Sequence, residues 1–299
     1  MDVAAELAEH RRYLVGVAYR LLGSVHAAED VVQEAYVRAE RALRPGADDI
    51  VEPRAWLTRI VTRLALDELK SARSRREAYT GPWLPEPLVA PGGAADPGDP
   101  GDRVTLDEQV TFALMTVMES LSPAERAVYV LHEAFGVPLN EVAAVVGRSP
   151  AACRQLASRA RRHLAERSPR FDPDPGEQAR VVAGFRHAAE TGDVDALARL
   201  LDDDVRLVTD GGGVVNASRR PVLGRDRVVR TLVAALASAA DLRLEPVDVD
   251  GQPGLVARYG GQAAVLAFVV LGGRITHVDV VANPEKLAHL PGPEGIGAP

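Results

Sequence analysis

The sequence predicts a multidomain protein, in which two all-α helical domains precede a C-terminal α+β domain. Residues 3–22, 24–43 and 53–76 carry apolar residues at three-to-four spacing, which is typical of amphipathic helices. A second helical block, about 104–167, follows a Pro/Gly-rich stretch. After the break "DPDPG" at 172–176, helical stretches alternate with short β-branched runs. These three observations define the predicted fold class.

Composition indicates an ordinary globular protein. The chain has 299 residues, of which 46% are hydrophobic and 26% charged, so it lacks the composition of a disordered chain. Its apolar runs reach about half of the roughly 20 residues that a membrane-spanning helix needs, and Met1 to His10 does not resemble a secretory signal. We therefore expect no membrane association and a cytoplasmic location. A single cysteine, Cys153, excludes an internal disulfide and provides no second thiolate for a zinc site.

The first three helices have short connections and predict one helical domain. Ser24 suits the N-cap of the second helix, and Pro53 suits the first turn of the third. The segment 79–102 then interrupts the helical pattern, because its many prolines and glycines favour extended chain over helix. It is predicted to be an interdomain linker, although it carries Trp83, one of only two tryptophans in the protein.

The stretch "VPLNEVAAVVGRSPAACRQLASRARRHL" predicts a helix-turn-helix. A short helix from Leu139 to Val146 ends at Gly147, and Ser149 and Pro150 open a second helix. From Arg148 to Arg170 there are seven arginines and one acid, Glu166, although the chain as a whole has a net charge of −7. This concentration predicts DNA binding, with a solvated basic helix as the alternative. The candidate DNA-binding residues are Ser149, Arg154, Gln155, Ser158, Arg159, Arg161 and Arg162.

Two blocks resemble the extracytoplasmic-function sigma factors of bacterial RNA polymerase. "LSPAERAVYVLHEAFGVPLNEVAAVVGRSPAACRQLASRARRHL" is similar to their minus-thirty-five-reading domain. "AYRLLGSVHAAEDVVQEAYVRA" followed by "PRAWLTRIVTRLALDELKSARSRRE" is similar to their N-terminal domain. The resemblance implies core RNA polymerase and promoter DNA as partners, and it assigns core-polymerase contacts to Asp30, Gln33 and Glu34.

By the same resemblance, the helix that starts at Pro53 melts and captures the minus-ten element. Its cations suit an electrostatic track for single-stranded DNA. Trp56 lies on the apolar stripe of this helix, and core packing is favoured for it over base stacking. The candidate minus-ten residues are Arg59, Arg63, Lys70, Arg73, Arg75 and Arg76.

The C-terminal extension resembles the SnoaL-like fold that is fused to a subgroup of these sigma factors. Its helices at 177–190, 194–201 and 225–239 and its late strands predict an antiparallel sheet with helices on one side. The motifs "GPWLPEP", "DGGG" and "NPEKL" carry the resemblance, although Val214 and Glu285 depart from the usual DGGGK and NPDKL. We hypothesise that Trp83 and its prolines dock near Asp210 to Gly213, with a tryptophan packed on its own helical domain as the alternative. The residues assigned to this role are Trp83, Pro85, Asp210, Gly211, Gly212, Gly213, Asn283, Pro284, Lys286 and Leu287.

The SnoaL-like fold also hosts enzymes, and Asp210, His277 and Asp279 are candidate general bases by residue type alone. We expect instead a protein that is not an enzyme and needs no cofactor or metal. Whether the SnoaL-like pocket binds a small ligand stays open. The free protein is expected to be a monomer.

The sequence thus predicts a sigma factor whose third domain modulates its activity in cis. The expected boundaries are 1–78, 79–102 for the linker, 103–171 and 172–299. Two alternatives stay open: a one-component helix-turn-helix regulator with a ligand-binding domain, and a pocket enzyme that is only tethered to DNA.

Overall fold

The computed structural model describes residues 3–42, 50, 52–77, 79–91, 110–167 and 175–290. These residues form two compact units. The described parts of 3–77, residue 110 and residues 117–167 make up the first, called here the helical unit. Residues 79–91, 111–116 and 175–290 make up the second, called the sheet unit. The described part of the predicted linker, residues 79–91, belongs to the sheet unit.

The helical unit begins with three long helices, α1 (Val3–Leu22), α2 (Val25–Ala42) and α3 (Pro53–Glu77). Ser24 caps α2 as predicted, because its hydroxyl accepts a hydrogen bond from the amide of Ala27 at 3.3 Å. Leu14 and Leu21 of α1 are fully buried as the apolar spacing predicts. On α3 the fully buried residues are Leu57 and Val61, whereas Trp56 and Ile60 of the predicted stripe are only partly buried.

Shorter helices complete this part of the chain: α4 (Phe112–Met118), α5 (Pro123–Val128), a π-helical turn (Tyr129–Ala134), α6 (Leu139–Val146) and α7 (Pro150–Arg167). The start of α5 is fixed by a capping box. The Ser122 hydroxyl accepts from the Glu125 amide, and the Glu125 carboxylate accepts from the Ser122 amide at 3.1 Å. Only the N-terminal part of α4, up to Thr116, belongs to the sheet unit.

The sheet unit contains helices α8 (Pro175–Thr191), α9 (Val194–Leu200) and α10 (Arg225–Ser238). Its strands are β1 (Val89–Pro91), β2 (Leu201–Asp210), β3 (Val222–Leu223), β4 (Arg243–Val249), β5 (Gln252–Tyr259), β6 (Gln262–Leu271) and β7 (Arg274–Val281). A 3₁₀ turn, Pro284–Leu287, follows β7. The predicted fold class, helical domains followed by an α+β domain, is confirmed.

The seven strands form one sheet in the order β1-β4-β5-β6-β7-β2-β3. Strands β4 to β7 form an antiparallel meander as predicted, but the expectation of a wholly antiparallel sheet is wrong. Strand β2 pairs with β7 in parallel, with Val208 opposite Asp279. The long connection from β2 through α10 and the meander returns the chain to the same edge in the same direction, as a parallel pair requires.

The predicted linker also contributes a strand. Residues Val89 to Pro91 pair with β4 in antiparallel register, with Val89 opposite Val249. This strand lies at the edge of the sheet, which is where a proline can end a strand without removing a ladder hydrogen bond. The composition of the segment hid this strand, because Pro and Gly dominate the residues around it.

The sheet has an apolar core on each face. Helices α8 to α10 cover one face, where Phe185, Leu197, Leu255 and Val278 are almost fully buried. The other face is covered by the linker residue Leu84, by Phe112 and by Leu287, which pack with Val208, Val247, Val256 and Val281. Among the described residues, none of the helices is long and apolar enough to cross a bilayer.

Candidate nucleic-acid interface and linker site

The helix-turn-helix has the geometry that the sequence predicts. Helix α6 ends at Gly147, whose φ of 69° and ψ of 40° place it in the left-handed region that favours glycine. Ser149 caps α7, because its hydroxyl accepts from the Ala152 amide at 3.1 Å. Along α7, Cys153, Leu156, Ala160 and Leu164 are buried, so the opposite side of the helix faces outward.

The exposed side of α7 carries all the predicted DNA-binding residues of that helix. Two of its arginines face acids of their own unit. Arg159 Nε lies 3.8 Å from Glu125, and Arg161 Nε lies 3.6 Å from Glu133. Both arginine side chains stay more than half exposed, so these pairs are weak and do not remove the basic charge from the surface. The exposed residues are Arg154, Gln155, Ser158, Arg159, Arg161 and Arg162.

Two of the predicted minus-ten cations of α3, Arg59 and Arg63, lie next to α6. Arg59 Nη2 lies 3.9 Å from Glu141, and the Arg63 guanidinium donates to the carbonyl of Ala144 at 3.4 Å. Lys70 pairs with Asp67 at 3.0 Å on the exposed surface. Trp56 is partly buried. Arg73, Arg75 and Arg76 lie on α3, but their side chains are outside the described residues.

Sequence reasoning missed Arg126, which joins distant parts of the helical unit. Its side chain is 1% exposed, its Nε donates to the carbonyl of Arg20 at 3.0 Å, and its Nη1 pairs with Glu119. A buried arginine needs such partners, because an unpaired guanidinium in the interior is costly. No local pattern marks this residue, since Arg20 lies 106 positions away.

The predicted polymerase-contact residues Asp30, Gln33 and Glu34 are exposed on α2. Glu34 pairs with Arg38 at 2.8 Å, and Asp30 lies 3.6 Å from His26. These are short-range pairs on one helix between well-exposed side chains, and such pairs leave the carboxylates accessible to another protein.

Asp210 is the centre of the linker site in the sheet unit. Its side chain has no exposed surface, and it accepts four hydrogen bonds from three segments of the chain. The linker supplies the Tyr79 hydroxyl at 2.6 Å and the Leu84 amide at 2.9 Å. The Gly212 amide donates at 3.1 Å, and Lys286 Nζ donates at 2.7 Å. The carboxylate is thus buried with both a counter-ion and full hydrogen bonding.

Lys286 ties the linker to the last turn of the unit. Besides its ion pair with Asp210, its ammonium donates to the carbonyl of Leu84 and lies 3.9 Å from the centre of the Trp83 ring. An ammonium this close to an indole face gains a cation–π interaction. The structure therefore brings Trp83 next to the "NPEKL" and "DGGG" motifs. In this chain Val214 stands where the usual DGGGK motif has a lysine, and Lys286 supplies a positive charge beside Asp210.

The glycines of "DGGG" allow this close approach. Gly212 has a φ of 66°, and a Cβ placed on it would lie 2.5 Å from Asn283 Cγ. Gly211 could not carry a side chain either, because its Cβ would lie 2.5 Å from the carbonyl oxygen of Val215. Asn283 fits against this glycine turn, and its amide nitrogen donates to the Tyr79 hydroxyl at 3.0 Å.

The remaining motif residues support this contact. The side-chain Oδ1 of Asn283 accepts from the Glu285 amide at 3.1 Å and caps the 3₁₀ turn that Pro284 opens. Pro85 and Leu287 are buried. Gly213 lies beside Thr80 of the linker.

The residues of the linker site that were not predicted include Tyr79, Glu86 and His289. Burial raises the pKa of the Tyr79 hydroxyl, and its hydrogen bond to the Asp210 carboxylate raises it further. Glu86 is 7% exposed and pairs with His289 at 3.2 Å. The only sequence signal for Glu86 is that a charged residue stands between two prolines of "GPWLPEP".

The candidate general bases are not arranged as a catalytic pocket. The carboxylate of Asp210 is occupied by the linker residues Tyr79 and Leu84 and by Lys286. Asp279 alternates with Val278, so it lies on the face of the sheet away from helices α8 to α10. Burial raises the pKa of Asp279 to about 7, against the opposing effect of Arg206. Burial also lowers the pKa of His277, with a further contribution from Arg206. The cavity at Asp279 measures about 10 Å³, which is too small for an organic substrate.

Comparison with known proteins identifies two family regions in the chain and relatives of similar length. Residues 7–75 match Sigma-70 region 2, and residues 111–164 match Sigma-70, region 4. The chain is 40% identical to the ECF RNA polymerase sigma factor SigJ of Mycobacterium tuberculosis, over 94% of this chain and 92% of that protein. It is 39% identical to the probable ECF RNA polymerase sigma factor SigI of the same species, over 96% of both. The crystal structure of SigJ superimposes with a TM-score of 0.76 at 37% identity, covering 95% of this chain and 98% of that one.

Proposed function

The chain belongs to the extracytoplasmic-function family of RNA polymerase sigma factors. From this premise we propose which role each of its surfaces has in promoter recognition. Helix α2 contacts core polymerase, α3 captures the minus-ten element and α7 reads the minus-thirty-five element. The sheet unit modulates the result through the linker. The protein acts in the cytoplasm, where core polymerase and promoter DNA meet.

The exposed side of α7 supports its role in reading duplex DNA. A helix fits the major groove, and arginine and glutamine side chains present planar donor groups that match guanine and adenine edges. Arg154 and Gln155 lie in the second turn of α7, near the N-terminal end, which is the part of a recognition helix that contacts bases, and Ser158 follows one turn later. Arg161 and Arg162, further along, suit phosphate contacts.

Capture of a single strand by α3 requires its cations to be free. In this structure Arg59 and Arg63 contact Glu141 and the carbonyl of Ala144 on α6. These contacts are solvent-exposed and long, so phosphates can replace them at little cost. Binding of the minus-ten strand therefore competes with the packing of α3 against α6.

The acidic side of α2 suits a basic protein partner. Asp30 and Glu34 are exposed, and neither is held by more than a surface pair on its own helix. Electrostatic complementarity of this kind sets the rate and orientation of association.

Modulation by the sheet unit is carried by one observation, the burial of Asp210 under the linker. Tyr79, Leu84 and Lys286 all donate to this carboxylate. The linker lies in the chain between the region 2 match, which ends at residue 75, and the region 4 match, which starts at residue 111. Docking of residues 79–91 on the sheet unit therefore limits the reach of the chain that joins the two promoter-reading regions.

The alternatives weighed from the sequence are less well supported. A one-component regulator is not favoured, because region 2 of the sigma factors matches residues 7–75 in addition to the helix-turn-helix. A role for the sheet unit in catalysis has no support from Asp210, whose carboxylate is occupied by structural contacts. We propose that the sheet unit is regulatory and not catalytic.

The test is transcription in vitro with purified core polymerase and a pool of genomic promoters. The full chain is compared with Trp83→Ala and Lys286→Met, and Leu271→Ala, an exposed residue of the sheet unit, is the control. We expect specific starts from the wild-type protein and the control, and altered promoter output with unchanged core-polymerase affinity for the two linker-site variants. Equal output from all four proteins would show that the linker contact does not regulate initiation.

A further inference from the structure

The ring of His289 lies between two hydrogen-bond acceptors of the linker. Its Nδ1 is 3.2 Å from the carboxylate of Glu86, and its Nε2 is 2.9 Å from the carbonyl oxygen of Pro87. Neither acceptor can donate a hydrogen bond while Glu86 is ionised. A neutral imidazole carries one N–H and serves one of them, whereas an imidazolium carries two and serves both. The geometry therefore selects the protonated ring.

In the described part of the chain, two acids face His289. Glu86 comes from the linker and is 7% exposed, and Asp250 comes from the turn between β4 and β5 and is 8% exposed. Lys286, the cation of the preceding 3₁₀ turn, is engaged by Asp210. The hydrogen bond to Glu86 is the main reason that the pKa of His289 is raised, and the charges of Glu86 and Asp250 raise it further while burial opposes them.

His289 and Asp250 hold consecutive positions of the linker. His289 holds Glu86 and Pro87. Asp250 then holds the next residue, because its carboxylate accepts from the Leu88 amide at 3.2 Å and its own amide donates to the Leu88 carbonyl at 2.9 Å. Strand β1 begins directly afterwards at Val89. Loss of the His289 contacts would thus open the linker between the Asp210 site and β1.

We propose that His289, Glu86 and Asp250 form a proton-dependent clasp, which holds residues 86–88 on the sheet unit when His289 is protonated and loosens when His289 loses its proton. The clasp goes beyond the proposed regulatory role of the sheet unit, because it makes the docking of the linker sensitive to pH. A sigma factor with this clasp would couple promoter output to the pH of its surroundings.

The direction of the effect follows from linkage. An unperturbed histidine titrates near pH 6.5, at about the value expected for His289 when the linker is released. Since docking raises its pKa, the clasp contributes fully below about pH 6.5, and its contribution is lost as the pH rises through the docked pKa. The total fold-change in the docking equilibrium is ten raised to the difference between the pKa of His289 in the docked and in the released state. The measured pKa and the measured fold-change therefore check each other.

The experiment uses the full chain and two readouts that do not depend on transcription. The first is an NMR titration of the histidine Cε1–H signals, which gives the pKa of His289. The second is the hydrogen-exchange protection factor of the Leu88 amide between pH 6 and 8.5, which measures local opening after correction for intrinsic exchange. Because neither readout involves polymerase, a failure of the clasp is distinguishable from a failure of the proposed function.

The variants are Glu86→Gln and His289→Gln, and His187→Gln on the exposed side of α8 is the matched control. We expect Leu88 protection to fall with rising pH in the wild type and in the control, and to be independent of pH in His289→Gln. Glu86→Gln should lower the pKa of His289. Protection of the Val256 amide in β5 reports whether the sheet remains folded. If a variant loses this protection, the clasp is judged from the wild-type protein, by the pKa of His289 and the pH profile of Leu88 protection together. An unshifted His289 pKa in the wild type, or the same pH profile in folded His289→Gln, would overturn the clasp.

Discussion

At the scale of single residues, the sheet unit depends on the pairing of one buried carboxylate. Asp210 has no exposed surface, and its counter-ion Lys286 has a side chain that is 11% exposed. Replacing one partner of such a pair leaves an uncompensated charge in the interior, which costs far more than the loss of a surface ion pair. The cation–π contact with Trp83 is lost at the same time.

We therefore expect Lys286→Met to destabilise the sheet unit by about 3 to 5 kcal/mol, the range for a broken buried pair. Lys70→Met is the control, because Lys70 pairs with Asp67 on the exposed surface and its loss should change stability by no more than about 0.5 kcal/mol. Urea denaturation of the full chain measures both. Equal, small effects of the two substitutions would show that Asp210 is not stabilised by Lys286.

Gly212, in the turn after Asp210, can be compared with Gly251, in the turn between β4 and β5, because their backbones are similar. Gly212 and Gly251 both have positive φ, at 66° and 79°, but an added Cβ meets Asn283 only at Gly212. Gly251→Ala should cost about 1 kcal/mol for the left-handed backbone. Gly212→Ala should cost at least about 1 kcal/mol more, since overpacking is added. Thermal unfolding of the full chain measures the difference, and equal losses would mean that Asn283 moves away without cost.

At the scale of elements, α7 is a helix with one buried side and one basic side. Cys153, Leu156, Ala160 and Leu164 fix its rotation against the rest of the helical unit. This rotation decides which arginines point outward. Arg159 and Arg161 then meet Glu125 and Glu133, whereas Arg154 is exposed near the N-terminal end of the helix.

Arg154 should therefore contribute to base selection. We expect Arg154→Ala to reduce affinity for the preferred minus-thirty-five sequence by about 1 to 3 kcal/mol and to relax the choice of base at one position. Arg162→Ala should weaken all sequences alike, because Arg162 is proposed to contact phosphate. Binding of the polymerase holoenzyme to a promoter pool at fixed salt separates the two patterns, and a uniform loss for Arg154→Ala would reassign this residue to the DNA backbone.

At the scale of the whole molecule, the described chain forms two compact units with separate cores. Arg126 joins Arg20 and Glu119 within the helical unit, whereas Asp210 joins the linker to the sheet unit. Units with their own cores open with their own free energies.

Substitutions at these two sites should therefore have separate effects. Arg126→Met should lower hydrogen-exchange protection in α1 and α5 by about 2 to 4 kcal/mol and leave β5 and β6 unchanged. Lys286→Met should lower protection in β5 and β6 and leave α1 and α5 unchanged. Hydrogen exchange with mass spectrometry on the full chain measures both sets of peptides, and a loss of protection in both units from either substitution would contradict separate opening.

Much of this architecture could be predicted from the sequence, because the signals are local. The apolar spacing of α1 to α3, the cap at Ser24, and the Gly147 turn with Ser149 depend on residues within about one helical turn of each other. The docking of Trp83 near Asp210 was reached only through the resemblance of three short motifs, and its regulatory role stays a prediction. The parallel pairing of β2 with β7 was missed, because strand direction depends on how the whole chain returns to the sheet.

By itself, the sequence determined the helices, the helix-turn-helix, the basic face of α7 and the family of the protein. The tertiary structure alone decided which partners meet over long distances. Tyr79 reaches Asp210 across 131 positions, Lys286 reaches the same carboxylate across 76, and Arg126 reaches Arg20 across 106. The physical reason is that helix periodicity and capping act between near neighbours, whereas the pairing of a buried charge depends on which distant segments the fold places beside it.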